Sequence, residues 1–221
     1  HEDYQAGTPA DAALRFLAIT AGLYPSDLLI ENSKASYYRK GMDISVVSTS
    51  LMSNVTFRRN VLLDNTHWGM LFNHGDSTLI EENVFLRNGW AIRSVLVHNI
   101  YVTEHNNFVA RNNIFAYGGN AGLKLSSDYE SGFTNFTVDD NLFYKNILSM
   151  GASNGPYNDV SVTFTHHDGT VIDNVFIDPA KNLPFDSAGT QTIATYLLSQ
   201  TDVSYLRNIF AHNISYLNNG N

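Results

Sequence analysis

The sequence predicts an all-β fold, a right-handed parallel β-helix with a short N-terminal helical cap. Three observations predict it: a phrase containing asparagine recurs along the chain, a second asparagine often follows it, and the composition suits strands and turns. Asn, Phe and Tyr are prominent beside β-branched Val, Ile and Thr, residue types that favour strands or bends. With 221 residues, 43% of them apolar, the chain is long enough for one domain with its own core.

The recurring phrase consists of two residues that are often polar, an asparagine, an aliphatic residue and usually phenylalanine. Its first asparagines are Asn60, Asn83, Asn113, Asn141, Asn174 and Asn208, with a weaker copy at Asn32. Successive first asparagines, from Asn60 onwards, are 23, 30, 28, 33 and 34 residues apart. The second asparagines, five positions further on, are Asn65, Asn88, Asn146 and Asn213, while Gly118 and Pro179 take that place in two copies. An elastic repeat of this length predicts a solenoid.

Strand geometry explains the repeat. Each coil contributes short strands, and coils stack in parallel about 4.8 Å apart. Asparagine is expected at the bends because it tolerates left-handed backbone conformations, and stacked amides can bond to one another. The residues that stand two positions after the first asparagine are expected to stack as an internal, largely aromatic ladder: Leu62, Phe85, Phe115, Phe143, Phe176 and Phe210. A leucine-rich repeat needs a tighter period and leucine at several fixed places, and this chain has neither.

The repeat predicts one domain: a cap over about residues 1–27, coils over 28–180, an inserted loop or helix over 181–200, and a last coil over 201–221. Thr8-Pro9-Ala10-Asp11 has the features of a helix start, which predicts a helix over Ala12–Ala21, and a second short helix is predicted over Gln191–Ser199. No second cap is evident, so the chain is expected to continue in a longer protein or to pair with another copy. Six strands are predicted to line a shallow groove: Gly41–Ile44, Gly69–Phe72, Val95–His98, Gly122–Leu125, Ser149–Ala152 and Thr163–His166.

Charge and composition exclude several classes of function. The formal net charge is −8, and no basic stripe is present, so nucleic-acid binding is not expected. The chain has no cysteine, hence no disulfide or thiolate metal site. No apolar run is long enough to span a bilayer, and no signal peptide is recognisable, so no membrane partner is expected. An acidic protein can still bind a polyanion where a few cations or a bound Ca²⁺ set the local field.

Four residues on three adjacent coils are the candidate catalytic groups. Lys124 stands between Leu123 and Leu125 and therefore faces away from them, as a base, a carboxylate ligand or merely a solvated lysine. The other three are His98, Tyr101 and His74. Histidine and tyrosine are suitable proton carriers. A single histidine is more often structural, and convergence on neighbouring coils strengthens the functional interpretation without making it the preferred one.

Further residues are candidates for binding substrate. The two tryptophans follow second asparagines and are expected near each other, as a platform for sugar rings or as packing under a loop. The candidate binding residues are Trp68, Trp90, Arg93, Arg111, Tyr117, His166 and His167. Adjacent histidines cannot place both rings on one strand face, so they alone predict no zinc site. Ca²⁺ is a possible cofactor because oxygen ligands suit it, and the acidic residues available are Asp43, Asp76, Asp128 and Glu130.

The coils from Phe57 to Phe176 resemble the right-handed β-helix proteins of the pectate-lyase-like superfamily. Asn88-Gly89-Trp90, His98-Asn99-Ile100-Tyr101 and Arg111-Asn112-Asn113-Ile114-Phe115-Ala116 look like phrases of bacterial β-helix proteins linked to polysaccharide breakdown. The superfamily includes lyases, hydrolases, epimerases, esterases, phage tailspikes and adhesins, so the resemblance is specific for fold and only suggestive for activity. The Asp-Pro-His-Asp signature of the alginate epimerases is missing.

The resulting hypothesis is a secreted or periplasmic polysaccharide lyase that acts on a uronic-acid-containing glycan. Lys124 or His98 would be the base and Tyr101 the acid, while an arginine or Ca²⁺ would neutralise the substrate carboxylate. Two alternatives stay open. One is a glycoside hydrolase using Asp43 and Asp76. The other is a non-catalytic carbohydrate-binding or tail-fibre module that binds through its tryptophans and tyrosines.

Overall fold

The computed structural model describes residues 10–18, 26–46, 51–90, 97–119, 121–126, 133–146, 148–151, 166–178, 195–197 and 200–211. Across these ranges the chain winds into stacked coils of parallel strands, and no helix occurs in them. The predicted β-helix is confirmed. No helix in this described part is long and apolar enough to cross a membrane.

The strands form three faces. The first face consists of β1 (Ala12–Ala18), β4 (Lys40–Val46), the first halves of β7 (Trp68–Glu81) and β9 (His98–Arg111), β11 (Ala121–Ser126), β14 (Leu148–Gly151) and β17 (Thr195–Leu197). The second face consists of β2 (Ser26–Glu31), β5 (Met52–Arg58), the second halves of β7 and β9, β12 (Thr134–Asp139), β15 (His166–Ile172) and β18 (Gln200–Leu206). The third face consists of β3 (Lys34–Ser36), β6 (Val61–Leu63), β8 (Val84–Leu86), β10 (Ile114–Ala116), β13 (Leu142–Tyr144), β16 (Val175–Ile177) and β19 (Ile209–Ala211).

The predicted aromatic ladder is confirmed on the inner side of the third face. The middle residue of each strand points inward, and the rings stack coil upon coil. Phe115 and Phe143 have ring centroids 4.9 Å apart, and Phe143 and Phe176 have centroids 4.7 Å apart. Aromatic pairs in such contact stabilise beyond their area burial, so the stack fills the core and joins the coils.

A ladder of buried asparagines runs between the second and third faces. The Oδ1 of Asn113 accepts hydrogen bonds from the backbone N–H and the Nδ2 of Asn83, each at 3.0 Å. The Nδ2 of Asn113 donates in turn to Oδ1 of Asn141 at 3.0 Å and to the Ile80 carbonyl at 2.8 Å. The same contacts join every pair from Asn60 to Asn208. Each buried amide is thus satisfied by the coils beside it.

The ladder asparagines are not the left-handed residues, and that expectation was wrong. Positive φ belongs instead to the residue before each of them, such as Glu82 (57°) and Asn112 (54°). That preceding residue makes the bend, and the asparagine after it turns its amide inward. At the weaker first copy, Ser33 holds the ladder position and bonds to Oδ1 of Asn60 at 2.9 Å, while Asn32 makes the bend with φ 53°.

A second ladder lies at the bend between the third and first faces, and it contains a residue that the repeat did not predict. Asn65 donates to Asn88 at 2.8 Å, and Asn88 donates to Oδ1 of Asn99 at 2.9 Å. Where the repeat has Gly118, a Cβ atom would lie 2.8 Å from the Asn99 Nδ2 and 2.8 Å from the Asn146 Oδ1. Glycine therefore leaves room for the Asn99 amide to complete the ladder.

Two predicted helices are wrong where the structure describes them. Ala12–Ala18 is strand β1, which pairs in parallel with β4 through Leu14↔Met42 and Phe16↔Ile44. Within it Leu14 and Phe16 are half-buried and Arg15 and Leu17 exposed, the alternation of a strand. Thr195–Leu197 is strand β17 and pairs with β14. In both places pairing with a neighbouring coil outweighs local helix signals; residues 8–9 and 19–21 lie outside the described residues.

Of the predicted groove strand Thr163–His166 only His166 lies within the described residues. It begins β15, which pairs with β12 on the second face, whereas β17 follows β14 on the first face. The other five predicted strands overlap β4, β7, β9, β11 and β14.

Truncating a central ladder residue tests the role of the asparagines. Asn113→Ala removes the partners of buried groups in both adjacent coils, and each buried polar group left unbonded costs about 1–3 kcal/mol. We expect the unfolding free energy from urea titration to fall by at least about 2 kcal/mol. Asn106→Ala, at an exposed position of strand β9 in the same coil, should change it by less than about 0.5 kcal/mol. Equal losses in the two variants would show that the ladder does not hold the coils.

Candidate functional site

A row of polar and aromatic side chains follows the outer side of the first face. Parallel register aligns Arg15 with Asp43, Asp43 with Leu71, Leu71 with Tyr101, and Tyr101 with Lys124. Three more residues begin strands β4, β7 and β9 beside this row. Together they form what we name the outer strip: Arg15, Lys40, Asp43, Trp68, Leu71, His98, Tyr101 and Lys124.

Two half-buried aromatic rings lie at the centre of the outer strip. Trp68 and Tyr101 are stacked, with ring centroids 6.5 Å apart and planes 14° from parallel. The Lys40 Nζ lies 5.5 Å from the centroid of the Trp68 ring, within the range of a cation–π interaction. Both rings keep part of their surface accessible, and such a pair offers an apolar platform to a ring-shaped ligand.

Asp43 anchors one end of the strip. Although it is only 2% exposed, Lys40 Nζ donates to it at 2.7 Å, Ser45 Oγ at 2.6 Å and Arg15 Nε at 3.1 Å. Burial raises the pKa of Asp43, but the hydrogen bonds from Lys40 and Ser45 outweigh it, and the pKa lies below its ordinary value. Asp43 is therefore a fixed anion that positions two cations.

The other end of the strip contains two buried nitrogen-bearing side chains. Lys124 is 2% exposed and His98 is 1% exposed. The Nδ1 of His98 accepts the Ala121 N–H at 3.2 Å, so the neutral ring carries its proton on Nε2. Burial and, secondarily, the charge of Lys124 hold the pKa of His98 well below its ordinary value. The His98 and Tyr101 rings have centroids 5.3 Å apart.

Comparison with known families identifies the architecture. Residues 21–177 match the family model described as a right handed beta helix region. The chain belongs to this right-handed β-helix family. A comparison with curated proteins found no match. The family match supports the β-helix itself, and the narrower resemblance to pectate-lyase-like proteins stays a prediction.

The β-helix brings four of the predicted site residues together: Trp68, His98, Tyr101 and Lys124. Lys124 does face away from Leu123 and Leu125, as strand alternation predicts, and all three are buried. Three strip residues were missed: Arg15, Lys40 and Leu71. Lys40 stands three residues before Asp43, and that spacing was the available signal, whereas Arg15 lay inside a predicted helix.

His74 is not part of the outer strip. It lies at the corner where β7 turns from the first face to the second, with φ 56°. Its Nδ1 lies 2.9 Å from Oε2 of Glu104, and both side chains are buried. This hydrogen-bonded pair joins the corners of two successive coils, which is a structural role.

Three predicted binding residues occupy other parts of the β-helix. Arg111 bonds to Glu81 through Nε at 2.9 Å on the outer side of the second face. Tyr117 follows the third-face strand β10 and packs edge-to-face against Tyr144 at 5.3 Å. The Trp90 Nε1 donates to a backbone carbonyl, that of Asp64, at 2.9 Å.

The remaining predicted binding residues are described in part or not at all. His166 and His167 begin β15, and His167 aligns with Thr134 of β12. Their backbone therefore belongs to the second face, away from β11, and their side chains are outside the described residues. Arg93 also lies outside them.

The predicted calcium ligands do not converge among the described residues. Asp43 is held by cations, and Asp76 accepts a hydrogen bond from Asn107 at 2.9 Å beyond the His74 corner. Asp128 and Glu130 lie outside the described residues. An acidic group elsewhere was missed: carboxylate oxygens of Asp139, Asp140 and Asp173 lie within 4.8 Å of one another. Arg207 Nε bonds to Asp173 at 2.7 Å, so this group is partly neutralised and we assign it no ion.

The buried histidine makes a measurable prediction. Nitrogen chemical shifts should show His98 neutral, with Nδ1 unprotonated, at pH 6.5 and below, because burial opposes its charge. Its pKa is lower in the folded than in the unfolded protein. The resulting stabilisation is therefore complete above about pH 6.5 and is lost as the pH falls towards the folded pKa.

Lys124→Met is the matched variant for this measurement. Removing the cation should raise the pKa of His98, yet leave it below the ordinary histidine value because burial is the larger cause. Titration of His98 near pH 6.5 or above in the unmodified protein would contradict the described burial.

Proposed function

We propose that the outer strip binds a polysaccharide containing uronic acid and that the protein is a lyase that cleaves it by β-elimination. One observation carries the proposal: Tyr101 stacks on Trp68, lies in ring contact with His98 and is in register with Lys124. An apolar platform, a proton carrier and two nitrogen bases are thereby united on three adjacent coils.

The reaction requires three chemical functions. A base removes the proton next to the uronate carboxylate, a cation or hydrogen-bond donor stabilises the charge that develops, and an acid protonates the departing glycosidic oxygen. Lys124 is the proposed base and Tyr101 the proposed acid. His98 carries its proton on Nε2 in the neutral form, so it suits hydrogen-bond donation better than proton abstraction.

In this proposal Lys40 and Arg15 of the outer strip bind the substrate carboxylate, the role predicted from the sequence for another arginine. Arg111 lies on the second face, away from the aromatic platform, whereas Lys40 lies over the Trp68 ring and Arg15, which like Lys40 is paired with Asp43, keeps a partly exposed side chain. These two cations would hold a uronate carboxylate beside the aromatic platform. The proposal does not require Ca²⁺, although a bound ion remains compatible with it. Because such polysaccharides occur outside the cytoplasm, the proposal includes a secreted or periplasmic location.

A binding module without catalysis is the second candidate, and a specific observation favours it. Lys124 and His98 are almost fully buried, while Trp68 and Tyr101 keep accessible surface. A sugar could contact the rings without reaching either base.

The predicted hydrolase pair has less support. A hydrolase needs two carboxylates that face each other across the substrate. Asp43 lies on the first face, where it is ion-paired, and Asp76 lies beyond the His74 corner.

The lyase assay follows ultraviolet absorbance of unsaturated uronate ends on a panel of uronate polysaccharides, with Ca²⁺ and with chelator. Lys124→Met and Tyr101→Phe should each lower kcat by at least about 100-fold, the usual contribution of a positioned acid or base. Lys34→Met and Tyr205→Phe, which alter exposed residues outside the strip, should leave the rate unchanged.

Calorimetric binding to the same panel separates the two candidates. Binding that weakens in Trp68→Ala, with no absorbance change in any reaction, would establish the module in place of the lyase. Absence of both binding and absorbance change across the panel would contradict the proposal as a whole.

A further inference from the structure

The outer side of the third face is apolar. Its strands are three residues long, with the middle residue inward and the two flanking residues outward. The outward residues from β6 to β16, which we name the apolar panel, are Val61, Leu63, Val84, Leu86, Ile114, Ala116, Leu142, Tyr144, Val175 and Ile177. All but Ala116 keep accessible surface, and Ile114 is 41% exposed.

The other outer faces show that this composition is not imposed by the fold. In the same coils the second face presents alternating charges outward, in the order Glu31, Arg58, Glu81, Arg111 and Asp139. Charged ladders of that kind keep a flat sheet soluble and protect it from pairing. A flat strip of aliphatic side chains is instead typical of a surface that binds another protein surface.

The dimensions of the panel set the strength of the association. The five strands of the panel, about 4.8 Å apart, span about 19 Å, and with the flanking bends the strip is about 17 Å wide, hence about 330 Å². Standard stable interfaces bury about 800 Å² on each partner. The panel is less than half that size and therefore suits a weak, reversible complex.

Charges on the two edges of the panel indicate which partner fits. The bend before each strand and the bend after it both contain a residue with positive φ, five positions apart. Before the strands these residues are Arg59, Glu82, Asn112, Asp140 and Asp173, and after them Asp64, Arg87, Tyr117, Lys145 and Asp178. In three of the five coils the two edges carry opposite charges.

A two-fold axis parallel to the helix axis uses this pattern. Rotation about this axis places the two panels face to face, with equivalent coils at the same height and their strands antiparallel. The edge before a strand in one copy therefore meets the edge after the same strand in the second copy. Glu82 then faces Arg87, and Asp140 faces Lys145. Asp64 would meet Arg59, but Asp64 is buried and bonds to Arg87 of its own chain, and Arg59 bonds to Glu31, so this pair adds nothing. Asp173 would face Asp178, but Arg207 already neutralises Asp173.

The alternative two-fold arrangement is disfavoured by the same charges. A two-fold axis that runs parallel to the strands at the level of β10 would also superimpose the two panels over their whole length. It reverses the order of the coils in the second copy. Like charges would then meet, Glu82 against Asp140 and Arg87 against Lys145. Arg59 would face Asp173, but these two are already paired within the chain with Glu31 and Arg207. Like-charge juxtaposition opposes association.

We propose that two copies of this chain associate through their apolar panels around a two-fold axis parallel to the helix axis. The dimer buries Ile114 near its centre and pairs charges along both rims. The outer strip belongs to the first face and stays accessible in the dimer, so this inference is independent of the proposed polysaccharide chemistry.

Sedimentation velocity over a concentration series tests the dimer. The wild-type protein should show a reversible monomer–dimer equilibrium, with the dimer fraction rising towards the highest concentrations, as expected of an interface below the standard size. Ile114→Lys should be monomeric at every concentration, whereas Val109→Lys, on the outer second face of the same coil, should dimerise like the wild type. Circular dichroism checks that each variant is folded.

Charge reversal tests the orientation. Asp140→Lys alone and Lys145→Asp alone should each dimerise at least 10-fold more weakly than the wild type. Mixing the two variants should restore association, because a mixed dimer has one reversed and one native pair of opposite charge. A monomeric wild type, a dimer unaffected by Ile114→Lys, or a mixture no stronger than its components would overturn the proposal.

Discussion

Buried asparagine amides need hydrogen-bond partners, and this need determines how the coils stack. An amide offers two donors and an acceptor, and inside the β-helix the equivalent amides of adjacent coils provide most of the partners. Asn83 and Asn113 therefore align their coils whatever lies between them. Sequence separations along the ladder range from 23 to 34 residues, so loops of different length are accommodated while the register is maintained.

Register turns sequence-distant residues into neighbours and gives each face its own chemistry. On the first face the register brings Trp68, Tyr101 and Lys124 together, although they are far apart in the sequence and belong to no local motif. On the second face it alternates charges, and on the third it aligns aliphatic residues. One interior ladder thus supports a candidate carbohydrate surface and a candidate self-association surface that do not overlap.

The sequence predicts what is local and repeated. The first asparagine ladder, the phenylalanine stack and the outward direction of Lys124 follow from a short phrase and from strand alternation. Strand β1 could not be predicted, because its pairing with β4 is long-range and its local signals favour a helix. Asn99 was missed since it enters the second ladder from the following strand. The burial of Lys124 and His98 depends on contacts across coils that alternation does not specify.

Engineered cysteines test the central claim of coil register, because the chain has no cysteine of its own. Leu79 and Val109 are paired in register on adjacent coils, and Val109 is paired with Thr137 on the next. Leu79→Cys with Val109→Cys should form an intramolecular disulfide under mild oxidation, because the Cα atoms are about one strand spacing apart. Leu79→Cys with Thr137→Cys spans two spacings, about 9.6 Å, and should not. Equal cross-linking of both pairs, or none in the first, would contradict the ladder-defined register.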